Sequence, residues 1–249
     1  MKAARRRFYA KYPPRRIKFR GFVKNSFGQK CVFVRLLAAW ALPLLLSGCA
    51  SVDEMAPAPL GGMPLAIRPP DLVEIRRLDP TIKLDLRYAT SANILGRPLY
   101  KTSRALLQRP IAEALVRAHK RLKAKGYGIV MLDAYRPWSV TRELWNSLPS
   151  DKKPYFADPR KGSIHNNGCA VDVTLYDLSS GKTVEMPCGY DEFGPAARLD
   201  FQGVPAAVRS RRDLLLAAMV SEGFLPCSAE WWHYNHKDWA SYKIIDMPL

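Results

Sequence analysis

The chain has 249 residues and a formal net charge of +17, which alone would suit a protein that binds nucleic acid. The distribution of this charge argues against such a partner. Twelve of the 39 Lys and Arg residues lie within residues 1–48, which contain no Asp or Glu. The other 27 basic residues therefore face 22 acidic ones, which is an ordinary balance for a domain surface. We expect no nucleic-acid partner.

Residues 1–48 have the organisation of an export signal. Basic residues precede an apolar run, residues 36–46, that is too short to span a bilayer comfortably, and Leu46-Ser47-Gly48-Cys49 follows it. This string resembles the bacterial lipobox, in which the cysteine is acylated and becomes the mature N-terminus. We predict a lipoprotein signal peptide over 1–48 and a membrane anchor through lipidated Cys49. An uncleaved N-terminal anchor is the alternative.

The lipobox resemblance also predicts a location. The protein is expected outside the cytoplasm, lipid-anchored in the periplasm, and at the outer membrane if the host is Gram-negative, because Ala50 rather than Asp follows the cysteine. Residues 49–70 contain five prolines and two adjacent glycines, which predicts a flexible tether. Residues 71–249 then have the length of one domain with one core.

Hydrophobic periodicity predicts a mixed set of elements in this domain. The expected strands are 82–86, 129–132, 169–176, 224–227 and 230–235, and the expected helices are 110–125, 139–147 and 206–222. Residues 149–164 and 187–204 are predicted to be loops. Because strands and helices do not alternate regularly, we predict an α+β fold, with a central antiparallel sheet flanked by helices.

Two motifs about sixty residues apart contain the residues of a metal site. Residues 163–172 read S-I-H-N-N-G-C-A-V-D, and residues 230–234 read E-W-W-H-Y. A catalytic zinc takes three nitrogen or oxygen ligands and keeps one open position, which predicts His165, Asp172 and His233 as ligands. Glu230 remains as a base for the attacking water. The Asn-Asn-Gly bend before the strand lets Asp172 face the site.

These motifs resemble those of the zinc D,D-peptidases that cut D-alanyl-D-alanine bonds of cell-wall precursors. With D-A-Y-R-P at 133–137 and L-D-L-R-Y-A-T at 84–90, the chain looks most like the D-alanyl-D-alanine dipeptidases linked to vancomycin resistance. The resemblance spans residues 71–249. It implies one zinc ion per chain, a small dipeptide as substrate, and Glu230 as the general base.

The resemblance also implies roles for four further residues. Arg136 matches an arginine that stabilises the oxyanion, and the alternative is that it only pairs with Asp133. Asp191 occupies the place of an ammonium-binding aspartate. Two residues match positions that contact substrate: Tyr88 and Ser163.

Three cysteines lie in the predicted domain. An odd number outside the cytoplasm indicates one disulfide and one buried thiol. Cys169 lies on the core side of the strand that carries Asp172, so it is the expected thiol. Cys188 and Cys227 each follow a proline and lie three residues before Asp191 and Glu230. We predict that they are bridged, with two unpaired thiols as the alternative.

Two other functions stay open at this point. A carboxypeptidase of the same superfamily would trim terminal D-Ala from longer stem peptides, but a longer substrate would have no free amine for Asp191. A lipoprotein that binds peptidoglycan without cutting it would not need Glu230 together with all three ligands. The resemblance is compatible with three physiological roles: antibiotic resistance, wall turnover and D-alanine salvage.

Overall fold

The structure is a computed structural model that describes residues 67–249. The predicted signal peptide, Cys49 and nearly all of the tether lie outside these residues. The strands are β1 (Leu72–Glu74), β2 (Lys83–Leu84), β3 (Leu106–Gln108), β4 (Tyr127–Asp133), β5 (Ala170–Asp177), β6 (Phe224–Pro226) and β7 (His233–His236). The α-helices are α1 (Ile75–Leu78), α2 (Arg109–Lys123), α3 (Trp138–Ser147) and α4 (Ala206–Ser221). No helix among these residues is long and apolar enough to cross a membrane.

The main sheet has five strands in the order β2-β4-β5-β7-β6, and β1 pairs with β3 in a separate two-stranded sheet. Four of the five strands run antiparallel, whereas the short edge strand β2 runs parallel to β4. The mixed arrangement of helices and sheet agrees with the predicted α+β class. The predicted antiparallel pairing is seen for β4, β5, β7 and β6, and the parallel edge strand β2 departs from it.

Two predicted strands, 82–86 and 230–235, are markedly shorter in the structure. At the first, only Lys83 and Leu84 pair with β4, although Ile82 and Leu86 point into the core as their alternation predicts. At the second, pairing begins at His233, because the backbone of Glu230 first forms a turn. The Glu230 carbonyl accepts a hydrogen bond from the His233 amide, at 3.4 Å. Glu230 therefore lies in a turn outside the sheet.

The bend before β5 is a 3₁₀ helix, Ile164–Asn167, that ends at Gly168 in the left-handed conformation. A side chain at Gly168 would be strained by its φ of +71° and would meet Leu72 Cδ2 at 2.6 Å. The chain can therefore turn here and enter β5 with Asp172 on one face. Val171, Val173 and Leu175 lie on the other, in the hydrophobic core.

Helices α2 and α4 pack against each other, and α2 also covers β4. The apolar face of α2 includes Ile111, Leu115 and Leu122, all fully buried as the periodicity predicts. Burial of this face is the main source of stability for the helix, because a helix of this length is marginal in isolation.

Truncation of this face gives the first testable prediction. Leu115→Ala should lower the free energy of unfolding by about 2–5 kcal/mol, because it removes a fully buried side chain and leaves a cavity. Val220→Ala on α4, where the side chain is 49% exposed, is the matched control and should change it by less than about 0.5 kcal/mol. Urea unfolding at constant metal content measures both. Equal effects of the two substitutions would contradict this account of the core.

Candidate active site

Three acidic or basic side chains form a row across the centre of the main sheet. In the antiparallel pairs, Asp133 on β4 lies opposite Asp172 on β5, and Asp172 lies opposite His233 on β7. Directly opposed residues of antiparallel strands project on the same face of a sheet. The register thus places two residues separated by sixty-one positions, Asp172 and His233, side by side.

The fourth residue of this group, His165, comes from the 3₁₀ helix before β5. Its Nε2 atom lies 3.5 Å from Asp172 Oδ1 and 3.3 Å from His233 Nδ1. His233 Nδ1 lies 2.9 Å from the same carboxylate oxygen. The three predicted metal ligands therefore bring one donor atom each to a common point.

Both imidazoles are oriented through their second ring nitrogen. His165 Nδ1 donates to the backbone carbonyl of Ala134 at 2.7 Å. His233 Nε2 lies 2.9 Å from the side-chain oxygen of Asn235. Because both oxygens accept, the proton of each ring lies on the outer nitrogen, and the inner nitrogen offers a lone pair. This pattern is characteristic of histidines that bind metals.

The donor set fits a zinc ion. Two ligand atoms at about 2.1 Å from a tetrahedral zinc lie about 3.4 Å apart, which is close to the 3.3 Å and 3.5 Å distances made by His165. Two imidazole lone pairs and a carboxylate oxygen in such proximity also repel one another unless a cation or a proton lies among them. Zinc accepts nitrogen and carboxylate ligands of this kind.

The electrostatics of the group are those of a buried ion cluster. Burial raises the pKa of Asp172, but the two neighbouring histidines lower it more, so the net pKa lies well below the usual range. Burial lowers the pKa of His165, whereas Asp172 and Asp133 raise it, and the net shift is upward. The site therefore favours a negative carboxylate facing positive charge.

Glu230 lies in the turn just before β7 and is half-buried. Burial raises the pKa of its carboxyl group to about 7, an effect that nearby His233 partly opposes. It makes no salt bridge to a Lys, Arg or His among residues 67–249. A carboxylate with a pKa near neutrality is suited to accept and return a proton at physiological pH.

Arg136 is buried and forms an ion pair with Asp133. This pairing is one of the two roles that the sequence suggests for Arg136. Its Nε and Nη2 atoms donate to Asp133 Oδ2 at 3.0 Å and 2.6 Å. Asp133 Oδ1 accepts a hydrogen bond of 2.6 Å from Tyr100. The guanidinium also lies 4.9 Å from the centroid of the Tyr88 ring. These contacts fix its position, and Asp133 takes only two of its five N–H groups.

Tyr88 and Asp191 are joined directly. The Tyr88 hydroxyl donates to Asp191 Oδ2 at 2.9 Å. Burial raises the pKa of Asp191 to about 7, and the hydrogen bond from Tyr88 only partly offsets this. Asp191 forms no salt bridge to a basic side chain within the described part of the chain. A bound cation would therefore stabilise its ionised form.

Ser163 has a structural role in the site. It caps the 3₁₀ helix, with its Oγ accepting from the His165 amide at 3.2 Å, while its own amide donates to Asn166 Oδ1 at 2.8 Å. The cap holds the backbone of a predicted ligand. A contact between Ser163 and substrate stays a prediction.

The prediction of a disulfide between Cys188 and Cys227 was wrong. Cys188 and Cys227 are free cysteines in the structure, as is the buried Cys169, whose thiol state agrees with the prediction. Cys188 Sγ instead lies 3.5 Å from the backbone oxygen of Glu192, within its own loop. Burial raises the pKa of Cys227 to about 12, so its thiol stays protonated and unreactive.

Several residues that support the site were not predicted. Asn235 orients His233, Tyr100 holds Asp133, and Asn166 Nδ2 donates to the Arg136 carbonyl at 2.8 Å. Tyr190 also contacts a predicted ligand, since its hydroxyl donates to Asp172 Oδ2. The only signal in the sequence was proximity to a motif. Asn166 lies inside the first motif, and Asn235 directly follows the second.

The described residues thus place His, Asp and His donors beside a half-buried glutamate, which is the arrangement of metal-dependent hydrolases. A family model described as D-ala-D-ala dipeptidase, Peptidase M15, matches residues 68–246. The D-alanyl-D-alanine dipeptidase of Escherichia coli K12 is 34% identical over 175 residues, covering 70% of this chain and 89% of that protein.

Two further relatives have the same name. The D-alanyl-D-alanine dipeptidase of Streptomyces coelicolor is 30% identical, covering 68% of this chain and 92% of that protein. The one of Enterococcus faecalis is also 30% identical, covering 67% of this chain and 88% of that protein. The chain belongs to the D-ala-D-ala dipeptidase family of M15 peptidases, which confirms the resemblance seen in its motifs.

Proposed function

We propose that this protein is a zinc-dependent dipeptidase that hydrolyses D-alanyl-D-alanine, with one zinc ion per chain held by His165, Asp172 and His233. The observation that carries the proposal is the convergence of three donor atoms, one from each of these residues, within reach of a single ion. When bound, zinc would supply the Lewis acidity that lowers the pKa of the attacking water to about 7.

Glu230 is the general base of the proposed reaction. Its carboxylate takes a proton from the water as the water attacks the peptide carbonyl, and then returns that proton to the leaving amine. A carboxyl pKa of about 7, produced mainly by burial, allows the same group to do both. Glu230 lies in the turn before β7 and not on the sheet, so it does not compete with the three ligands for the metal.

Arg136 is the donor for the negative charge that develops on the carbonyl oxygen. Its pairing with Asp133 does not exclude this role, because the ion pair fixes the plane of the guanidinium while further N–H groups remain to donate. A donor that is already oriented needs no reorganisation during the reaction. The two roles that the sequence offered for Arg136 are therefore compatible.

Asp191 and Tyr88 form the subsite for the free ammonium group of the dipeptide. Asp191→Asn should raise KM for D-alanyl-D-alanine by about 10- to 100-fold with a smaller effect on kcat, since a charged hydrogen bond is lost from binding. Steady-state kinetics measure this. Asp151→Asn is the control, because the Asp151 side chain is exposed and pairs only loosely with Lys152, at 3.8 Å. An unchanged KM would remove the ammonium subsite from the proposal.

The substrate assignment is tested by comparing two peptides. The purified domain should hydrolyse D-alanyl-D-alanine and should be much less active on a tripeptide that ends in the same pair, because the longer peptide places no amine at Asp191. Preference for the tripeptide would instead indicate a D,D-carboxypeptidase. Absence of cleavage of either peptide by zinc-loaded protein would indicate a binding protein.

We also propose that the mature protein is anchored outside the cytoplasm through a lipid on Cys49. The support is the apolar run followed by L-S-G-C, together with the proline-rich segment that separates this cysteine from the domain. Cys49→Ser should abolish incorporation of labelled fatty acid in the producing cell. Cys31→Ser is the matched control and should leave the labelling unchanged. Equal labelling of the Cys49 variant and the wild type would contradict the anchor.

A further inference from the structure

The two oxygens of Asp172 have different environments. Oδ1 faces His165 and His233, at 3.5 Å and 2.9 Å. Oδ2 accepts a hydrogen bond of 2.9 Å from the hydroxyl of Tyr190. Since a phenol keeps its proton near neutral pH, Tyr190 is the donor in this bond. One oxygen of the predicted ligand is therefore already engaged by the protein.

The ring of Tyr190 is held between other aromatic side chains. It makes edge contacts with Tyr88 and Trp232, with ring centroids 6.2 Å and 5.6 Å away. Trp232 is itself almost fully buried. Such contacts restrict the ring, so the hydroxyl is directed at Asp172 without a further loss of rotamer freedom when a metal binds.

The backbone at the next residue explains how this loop serves two groups. Asp191 has a φ of +59° and is the only non-glycine residue with positive φ within residues 67–249. In an extended backbone, neighbouring side chains would point to opposite sides. The left-handed conformation, which Asp tolerates better than most residues, instead lets Tyr190 contact Asp172 while Asp191 contacts Tyr88.

We propose that Tyr190 is a positioning residue of the metal centre, whose hydroxyl holds Asp172 Oδ2 so that Oδ1 alone is presented to the metal. This inference rests on the zinc site of the proposed function. A carboxylate that offers one oxygen leaves room for water at the open position, which a catalytic site requires. Because Asp191 is the adjacent residue, one short loop then orders both the metal ligand and the ammonium subsite.

Tyr190→Phe tests the proposal, because it removes the hydroxyl and keeps the ring. Zinc affinity should fall by about 10- to 100-fold, as is usual when the hydrogen-bond partner of a metal ligand is lost. The measurement is competition for zinc against a chromophoric chelator at neutral pH. At saturating zinc, kcat should recover to within about threefold of the wild-type value, since Tyr190 does not touch the reacting atoms.

Tyr234→Phe is the matched control. Tyr234 is buried, and it directly follows the predicted ligand His233 on β7. Its hydroxyl has no hydrogen-bond partner among the described residues. Removing it should leave zinc affinity at the wild-type level. Thermal unfolding of the metal-free variants shows whether each is folded before its affinity is compared.

The outcomes separate this inference from the proposed function. If the wild-type protein binds no zinc, the proposed function fails. If the wild type binds zinc and Tyr190→Phe binds it equally well, only the role of Tyr190 is overturned. An equal loss of affinity in the Tyr190 and Tyr234 variants would also overturn it, because the effect would then come from general packing.

Discussion

Glu230→Gln should lower kcat by about 10²- to 10⁴-fold and leave the zinc content of the protein unchanged. The substitution keeps the size of the side chain and removes its ability to take a proton from water. Glu230 does not belong to the group of three converging donors, so metal binding does not depend on it. Steady-state kinetics on D-alanyl-D-alanine and metal analysis of the same preparation measure the two quantities.

Glu185→Gln is the control for this result. Its carboxylate is exposed on the surface and pairs only loosely with Arg211, at 3.5 Å, so both kcat and zinc content should match the wild type. A Glu230 variant that retains wild-type kcat would eliminate this residue as the base. Loss of zinc from the same variant would instead make Glu230 part of the metal site.

Alanine at any one of His165, Asp172 or His233 should reduce bound zinc from about one equivalent to background and abolish turnover with it. Each substitution leaves two donors where catalytic zinc needs three. The measurements are metal content after dialysis and activity with added zinc. Activity of the wild type should also be lost on treatment with a chelator and restored by zinc.

Asp85→Ala provides the comparison for the ligand variants, since Asp85 is a partly exposed carboxylate that pairs with Arg87 at the surface. It should retain zinc and activity. Thermal unfolding of the metal-free ligand variants distinguishes loss of the site from loss of the fold. Retention of zinc by all three ligand variants would disprove the site.

The metal site could be predicted from the sequence because its residues lie in short motifs whose chemistry is restrictive. His165 and Asp172 are separated by a bend that needs Gly168, and the turn at Glu230 precedes His233. The main helices were also predictable, because α2 and α4 have buried residues at helical spacing and end before Gly126 and Gly223.

Contacts that depend on register could not be predicted in this way. The parallel pairing of β2 and the hydrogen bond from Tyr190 to Asp172 both arise from how separate segments of the chain pack together. The error at Cys188 and Cys227 has the same origin. Both lie near site residues in sequence, but closeness in sequence to two groups of one site does not place two sulfur atoms within bonding distance.

The division of the ligands between separate parts of the sheet has a consequence for folding. Strand β5 and the 3₁₀ helix before it bring in Asp172 and His165, whereas His233 belongs to the local hairpin of β6 and β7. Until these two halves pair along β5 and β7, no more than two ligands are together. Such non-local pairing is slow compared with the formation of a hairpin. We therefore expect zinc to bind tightly only after the halves have joined, and to slow their separation in proportion to its affinity for the native state.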